Sequence, residues 1–417
     1  MIPSPERRAE RGLPLIVPHQ ERPSSPEKLK PGNLVVVTDV EGPLILGDTY
    51  LSVMAKYINP EYDSEAGHGL ELFEETYHWF LRSQFRNGFG QDGSDIVCHV
   101  GPMLLYGVTD EMILEEARKS RPAPGAKEYI DFLKSLKTKG DAREAVVVGI
   151  TTAWDAPHRS IVLDNVGLDG MIGTQFSLAQ AKQELIDSGK WDGEMAITRE
   201  FVTDCNHLIT KRHWASGRVR ERLSADLQQR INHFYVDELG LTWNEEGDMV
   251  PSNPRLGFKT ELAEIMQKLH VVGDKRKARI ARAIFDNYAR AGAVRIAIGD
   301  GLNDAHMLRE TPWSIGINGA AAANAAAIGL ITKDVKVLIE ITELIMDKQR
   351  EGRRLFGYAY EVSDDDVSDV VEAAQIMLGD RAIVIVGGRN NPLSTNVLEQ
   401  FKIAKLEWRG IDASKTA

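Results

Sequence analysis

Three short runs of apolar, mostly β-branched residues each end abruptly in polar residues, and this pattern limits the folds that the chain can adopt. The runs are VVVT, AVVVGI and VRIAI, which begin at Val35, Ala145 and Val294. Continuous apolar runs of this length are typical of strands buried on both faces, as in a parallel sheet covered by helices. The stretches between the runs are long enough for helical crossovers. The sequence therefore predicts an α/β fold with a doubly wound parallel sheet.

The second half of the chain continues this alternation of strands and helices. Further strands are predicted at 314–317, 328–332 and 382–386, because each is a short apolar run between polar or small residues. Helices are predicted near 275–290 and 395–406 from their length and periodicity. These segments extend the predicted sheet beyond the first three runs.

Composition and turn signals divide the chain into a tail, a core and insertions. Residues 1–32 hold seven of the seventeen prolines and many charges, so they bury too little apolar surface to order themselves, and we predict a flexible tail. Residues 33–350 form the predicted core, with mainly helical insertions at about 50–120 and about 181–255. Residues 351–417 are predicted to be a C-terminal extension packed on this core.

Charge and hydropathy argue against two classes of partner. The net charge is −11, so the chain lacks the basic balance that binding to a nucleic-acid backbone requires. A small phosphorylated metabolite needs only a local positive pocket and stays a candidate. No stretch is apolar enough to span a bilayer, so no membrane contact is predicted. The sequence makes no prediction of the oligomeric state.

Cysteine usage and the first residues bear on the compartment. Cys98 and Cys205 lie far apart and no CxxC pattern occurs, which argues against a thiolate zinc site and against a disulfide framework. The start of the chain, MIPSPERRAERG, lacks the apolar core of a signal peptide. Together these features predict a cytoplasmic protein with reduced thiols.

Two carboxylates follow the first apolar run. Asp39 stands where the run stops, as a turn or capping acid would, but a carboxylate there could also attack a phosphorus atom. Glu41 points to the same side in extended geometry and could act as a general acid and base. Gly42 and Pro43 then turn the chain.

A second pair of acids, Asp300 and Asp304, follows the VRIAI run. The carboxyl ends of parallel strands meet at one edge of a sheet, so this pair is expected beside Asp39. Carboxylate oxygens are the ligands that Mg²⁺ prefers. Asp304 could also cap the following helix, and the two roles can coexist. Gly299 and Gly301 allow close approach of the backbone.

A hydroxyl and a lysine complete the set of candidate residues. Thr151 follows the AVVVGI run and could donate to a phosphoryl oxygen, with Thr152 as the neighbouring alternative. Lys277, near the start of a predicted helix, could neutralise the phosphoryl group and the clustered acids. Lys275 competes for this role, and either lysine could instead belong to a solvated helix face.

Taken in order, these motifs resemble those of the haloacid dehalogenase superfamily of phosphotransferases. The matching segments are DVEGP, ITT, KAR within DKRKARI, and GDGLND, with PAPGAKEYIDFLKSL leading into the second. The resemblance implies a Rossmann-like core, helical cap insertions and Mg²⁺ as cofactor. A closer similarity is to an archaeal-type branch with a DxEGP first motif, some of whose members are labelled energy-converting hydrogenase A subunit R. DVEGPLILGD, the Asn318-Gly319 turn and the tail VLEQFKIAKLEWRG support that similarity.

The resemblance assigns a role to each residue of the first three motifs. Asp39 would be the nucleophile and a Mg²⁺ ligand. Glu41 would be the general acid and base and would lend its backbone carbonyl to the metal. Thr151 and Lys277 would bind the phosphoryl group. In most phosphatases of the superfamily an aspartate stands where this chain has Glu41, so the acid is kept and its reach is one methylene longer.

The fourth motif and the caps complete the expectations from the resemblance. Asp300 would be a metal ligand, supported by Asp304. Specificity in the superfamily resides in the caps, which close over the site and exclude water. Arg82, Arg86 and His158 are candidates for substrate contacts, although each is also typical of a surface or structural position.

Three functions are compatible with these motifs. The first is a Mg²⁺-dependent phosphatase that hydrolyses a small phosphorylated metabolite through an aspartyl-phosphate. The second is a phosphotransferase or phosphomutase, in which another acceptor replaces water. The third is a non-catalytic assembly or regulatory subunit that retains the fold. The complete set of acids argues against the third, because buried carboxylates are costly without a partner such as a metal.

Overall fold

The computed structural model describes most of the chain. The predicted tail, residues 1–32, lies outside the described residues except for its last two positions. The described ranges are 31–58, 67–87, 93–136, 145–244, 248–269, 271–357 and 360–409.

A seven-stranded sheet forms the centre of the fold. Its strand order is β11-β10-β9-β8-β1-β4-β5, and all neighbouring pairs are parallel except β10 and β11. The predicted α/β fold with a doubly wound parallel sheet is confirmed, except that the edge strand β11 runs antiparallel to β10. The strands are β1 (Gly32–Asp39), β2 (Ile45–Leu46), β3 (Arg121–Pro122), β4 (Ala145–Trp154), β5 (Gly170–Thr174), β6 (Leu241–Trp243), β7 (Met249–Pro251), β8 (Ala289–Gly299), β9 (Trp313–Ile317), β10 (Ile328–Thr332) and β11 (Ala382–Val386).

Helices cover both faces of the sheet and form a second layer beyond it. None of the described helices combines the length and apolar character needed to cross a membrane. Their bounds are Thr49–Tyr57, Gly67–Asn87, Val100–Leu105, Asp110–Ala117, Ala126–Ser135, Asp155–Ile161, Leu178–Asp187, Trp191–His213, Gly217–Asn232, Glu261–Lys268, Asp274–Tyr288, Ala305–Leu308, Ala320–Ala325, Leu338–Phe356, Asp364–Leu378 and Thr395–Trp408.

The central strand β1 shows why these apolar runs form a sheet buried on two sides. Leu34 and Val36 pack into one hydrophobic core, whereas Val35 and Val37 pack into the core on the opposite face. Side chains alternate across a strand, so a continuous apolar run satisfies both cores. Strand β1 lies between β8 and β4, which brings the carboxyl ends of all three to one edge.

The two insertions share a hydrophobic core of their own. The rings of Phe201 and Phe234 stack with centroids 4.0 Å apart, and Trp79 stacks on Tyr235 at 5.1 Å. The Tyr235 hydroxyl donates to the backbone carbonyl of Cys98 at 2.6 Å. The described residues within about 50–120 and about 181–255 therefore form one mainly helical body, which also contains the short hairpin β6–β7.

The C-terminal part of the chain is continuous with the core. The predicted boundary at residue 350 falls within helix Leu338–Phe356. Strand β11 then joins the sheet as its antiparallel edge, paired with β10. The last helix, Thr395–Trp408, returns to the carboxyl ends of the central strands, where Trp408 is buried.

A buried asparagine joins the ends of β9 and β10. Asn318 has a left-handed backbone, with φ of 51°. Its side chain donates to the carbonyl of Thr332 at 2.8 Å and accepts from the backbone N–H of Thr332 at 2.9 Å. The following residue, Gly319, lies so close to the Asp300 carbonyl that a Cβ there would be 1.8 Å from the oxygen. This turn therefore supports the loop after β8.

Replacing this asparagine separates the two contributions to the turn. Asn318→Ala removes both hydrogen bonds and places alanine in a left-handed conformation, so we expect a loss of about 2–4 kcal/mol. Asn318→Gly removes the same bonds but tolerates the backbone, and should lose about 1–2 kcal/mol less. Urea unfolding of both variants checks this. Wild-type stability in Asn318→Ala would contradict the role given to the turn.

Candidate functional site

Three buried aspartates meet at the carboxyl ends of the central strands. Asp39 ends β1, Asp300 follows β8, and Asp304 lies on the short helical turn Leu302–Asp304. One carboxylate oxygen from each lies within 4.8 Å of the other two. In the part of the chain that the structure describes, this is the one group of three or more acidic, histidine or cysteine side chains close enough to share an ion.

A fully buried lysine neutralises two of these acids. Lys277 extends from helix Asp274–Tyr288, and its ammonium donates to Asp39 Oδ1 and to Asp304 Oδ1, each at 2.8 Å. Burial by itself would lower the pKa of Lys277, but the charges of Asp304 and Asp39 outweigh it and raise the pKa. The ammonium therefore stays charged in the interior. Of the two lysines that the motif left open, Lys277 makes these ion pairs.

Asp304 also shapes the loop that holds Asp300. Its second oxygen, Oδ2, accepts the backbone N–H groups of Asp300 at 3.0 Å and Gly301 at 2.9 Å. A Cβ at Gly299 would lie 2.5 Å from the Asp304 Cβ, so glycine permits this close approach. The prediction that Asp304 caps the following helix is wrong: its side chain makes no capping hydrogen bond to helix Ala305–Leu308, because its oxygens bond the preceding backbone and Lys277 instead.

The pKa values of two of these buried acids are shifted in opposite directions. For Asp39, burial and the charge of Asp304 raise the pKa well above the ordinary value, although Lys277 works against them. For Asp300, burial also favours the neutral form, but Lys405 and then Arg409 outweigh it and lower the pKa. A divalent cation beside Asp39 would favour its ionised form and lower its pKa.

The cations beside Asp300 come from the end of the last helix. Lys405 Nζ donates to the Asp300 carbonyl at 2.9 Å and lies 3.0 Å from its Oδ2. Arg409 lies 3.6 Å from the same Oδ2. That oxygen is buried and receives no hydrogen bond of acceptable geometry from the described residues, despite the short distance to Lys405. Sequence reasoning missed both cations, because no local signal links this helix to Asp300.

Glu41 does not belong to the group of three aspartates, and its side chain contacts a histidine. Its Oε1 is 3.3 Å from His158 Nε2, and its side chain is 21 % exposed. His158 is buried, with Nδ1 3.0 Å from the Trp154 carbonyl and Nε2 2.8 Å from Thr49 Oγ1. Burial would raise the pKa of Glu41, but His158 outweighs it and lowers the pKa. Glu41 in turn raises the pKa of His158 against the effect of burial.

Both threonines after the AVVVGI run are buried near this edge. Strand β4 continues through them to Trp154, beyond the predicted end at residue 150, because Trp154 still pairs with Thr174. Thr151 Oγ1 accepts the backbone N–H of Ala153 at 3.0 Å, whereas Thr152 Oγ1 accepts from Asn303 at 2.9 Å. Both hydroxyls can still donate, so the choice between them stays open.

The predicted substrate contacts fall in different places. His158 is buried against Glu41 and Thr49, so the structure places it beside the candidate acid and base. Arg82 and Arg86 lie within helix Gly67–Asn87, but their side chains are outside the described part of the chain.

Comparison with known proteins supports the fold. No family model matches the chain. No curated protein matches it. The structure of gene product AF1437 from Archaeoglobus fulgidus matches with a TM-score of 0.61 at 17% identity, covering 90% of this chain and 97% of that one. At this identity the likeness shows a shared fold.

Two phosphoserine phosphatase structures match more weakly. A phospho-aspartyl intermediate analogue has a TM-score of 0.40 at 14% identity, covering 75% of this chain and 99% of that one. A substrate-bound complex has a TM-score of 0.39 at 15% identity, covering 76% and 99%. TM-scores below 0.5 do not establish a common fold, so the assignment of function depends on the site itself.

Removing the charge of the buried lysine should lower the free energy of unfolding, because two buried carboxylates then lack a cation. Lys277→Met leaves Asp39 and Asp304 buried without their cation, which typically costs about 3–5 kcal/mol. The pKa of Asp39 is raised on folding. Above the ordinary aspartate value, the folded state therefore binds more protons than the unfolded state. The stability that Lys277→Met loses at neutral pH should therefore be regained as the pH falls from neutral toward the ordinary aspartate pKa.

Urea unfolding between neutral pH and the ordinary aspartate pKa measures the loss of stability in Lys277→Met. Lys275→Met, two positions earlier on the same helix, is the matched control and should lose much less stability. Equal losses in the two variants, or a loss that grows as the pH falls, would contradict the electrostatic account of Lys277.

A divalent cation should stabilise the protein through the aspartate cluster. At about 100 times its Kd, Mg²⁺ should add about 2.7 kcal/mol to the free energy of unfolding and raise the Tm. Asp300→Asn, which removes one ligand charge, should abolish most of this increase. Asp380→Asn is the control because Asp380 is exposed. Differential scanning calorimetry with and without Mg²⁺ tests this, and an undiminished increase in Asp300→Asn would contradict it.

Proposed function

We propose that the protein is a Mg²⁺-dependent phosphatase that hydrolyses a small phosphorylated metabolite through an aspartyl-phosphate on Asp39. The observation on which the proposal rests is the buried ammonium of Lys277 shared between Asp39 and Asp304, with Asp300 beside them. A lysine that forms ion pairs with both the nucleophilic carboxylate and a metal-binding acid is well placed to neutralise the phosphoryl group during its transfer.

The proposal includes membership of the haloacid dehalogenase superfamily and of its archaeal-type DxEGP branch. DVEGP and GDGLND support it, because the residues they contribute meet at one edge of the sheet. We also propose a cytoplasmic location. Cys98 and Cys205 are both buried and neither is in a disulfide, which is compatible with a reducing compartment. The proposed partner is a small metabolite, with no role for nucleic acid.

The residues present fit Mg²⁺. Asp39, Asp300 and Asp304 offer hard oxygen atoms within 4.8 Å of one another. Asp300 Oδ2 is buried and is paired with Lys405 at 3.0 Å and with Arg409 at 3.6 Å, so the fit to Mg²⁺ rests on the three carboxylates together. These three residues would hold the metal, with the backbone carbonyl of Glu41 as a further ligand. Bound Mg²⁺ would neutralise negative charge on the phosphoryl oxygens.

The hydrogen bonds of Asp39 indicate which of its oxygens reacts. Oδ1 accepts from Lys277 Nζ and from the backbone N–H of Val40, each at 2.8 Å. These two donors fix the orientation of the carboxylate. Oδ2 is therefore the candidate nucleophile. A correctly oriented carboxylate reacts faster because less freedom is lost on reaching the transition state.

The reaction then has two steps. In the first, Asp39 Oδ2 attacks the phosphorus, the bond from phosphorus to the leaving oxygen breaks, and Glu41 donates a proton to that oxygen. In the second, Glu41 takes a proton from water as the water oxygen attacks the same phosphorus. Phosphate leaves and the Asp39 carboxylate is regenerated. Lys277 stabilises the phosphoryl group in both steps.

Phosphate release tests the proposed function. With p-nitrophenyl phosphate and a panel of phosphorylated metabolites, release should require Mg²⁺. Asp39→Asn should lower kcat at least about 1,000-fold, because the nucleophile is lost. Glu41→Gln should lower it about 100- to 10,000-fold, because proton transfer is lost. Asp380→Asn, which changes an exposed acid, should match the wild type.

Two outcomes of this assay would contradict the proposal. Release that persists in Asp39→Asn would place the chemistry elsewhere. No release from any compound, by a folded protein that binds Mg²⁺, would favour a phosphotransferase or phosphomutase with another acceptor, or a non-catalytic subunit.

A further inference from the structure

The end of the last helix is built into the proposed phosphoryl site. The indole N–H of Trp408 donates to the Gly42 carbonyl at 2.9 Å, and Trp408 is buried. Gly42 has φ of +109°, and a Cβ there would lie 2.4 Å from Asp300 Cγ. The turn after Asp39, the side chain of Asp300 and the end of helix Thr395–Trp408 are therefore in direct contact.

This contact brings two cations to an acid that Lys277 does not pair with. Lys405 Nζ donates to the Asp300 carbonyl at 2.9 Å and lies 3.0 Å from Asp300 Oδ2. Arg409 lies 3.6 Å from Asp300 Oδ2 and 3.7 Å from Asp48 Oδ2, so it bridges two acids. Their side chains are partly exposed, at 28 % and 30 %. The last helix therefore supplies the positive charge on the Asp300 side of the site.

The balance of charge shows what these cations do. Lys277 is shared between Asp39 and Asp304, so without the last helix Asp300 would face the cluster as an uncompensated carboxylate. Such a site would bind a divalent cation tightly and repel a phosphate dianion. A cation beside Asp300 shifts this balance, since it repels a metal ion and attracts a phosphate.

We propose that Lys405, supported by Arg409, is a positioning residue that sets the balance between cation and phosphate binding in this site. It acts through Asp300, which it holds by both the carbonyl and the carboxylate. The inference rests on the proposed function and deepens it, because it assigns part of the phosphate recognition to the C-terminal helix. Lys405 lowers the affinity of the site for Mg²⁺ and raises its affinity for the phosphate group.

Calorimetric titration of full-length variants tests the inference with Mg²⁺ alone and with orthophosphate in saturating Mg²⁺. Lys405→Met should lower the Kd for Mg²⁺ about tenfold and raise the Kd for orthophosphate about tenfold. Lys405→Arg keeps the charge and should restore both values. Lys402→Met is the matched control, because Lys402 lies one turn earlier and pairs with exposed Glu399. Arg409→Gln should shift both constants in the same directions as Lys405→Met.

The opposite signs distinguish a role in charge balance from a structural role. If Lys405→Met weakens binding of both ligands, Lys405 is merely structural and the inference is wrong. Unchanged affinities in Lys405→Met and Arg409→Gln would also overturn it, while leaving the proposed function intact. Failure of the wild type to bind Mg²⁺ would instead overturn the proposed function and this inference together. Arg409→Gln keeps the test decisive if Lys405→Met does not fold.

Discussion

The ion pairs of one buried ammonium hold the candidate site together. Lys277 lies in the interior between Asp39, the last residue of β1, and Asp304, in the turn that follows β8. Without that cation, two adjacent carboxylates would be buried at a high cost in desolvation and repulsion. The ammonium therefore joins the end of β1 to the turn after β8, and the same contact fixes the helix Asp274–Tyr288 to the sheet. The remaining features of the site are arranged around this pairing.

Close backbone approaches complete the arrangement around Asp300. Gly42 packs against its carboxylate and Gly319 against its carbonyl, at distances where a Cβ would collide. Asp304 holds the loop by accepting the backbone N–H of Asp300. The last helix then closes the same side with Lys405. Asp300 is thus held by a neighbour in its own loop and by contacts from three other parts of the chain, which suits a residue that must present its oxygens in a fixed geometry.

Much of the fold could be predicted from local patterns, because a short, continuous run of β-branched residues between polar flanks favours a buried strand. Because the carboxyl ends of parallel strands meet at one edge of a sheet, Asp39, Asp300 and Asp304 were also predicted to lie close together, as they do. Contacts between distant elements could not be predicted this way. Lys405 reaches a residue 105 positions earlier, which depends on how the last helix returns to the sheet. The pairing of Glu41 with His158 likewise depends on how the helix after β4 packs.

Binding of beryllium fluoride, observed by ¹⁹F NMR, tests the central claim most directly, because this tetrahedral mimic of a phosphoryl group needs no knowledge of the substrate. If Asp39 is a nucleophile in a Mg²⁺ site, the wild type should show a bound fluoride resonance that requires Mg²⁺ and is absent in Asp39→Asn. A wild-type protein that binds Mg²⁺ but gives no bound resonance, or a resonance that persists in Asp39→Asn, would contradict the account.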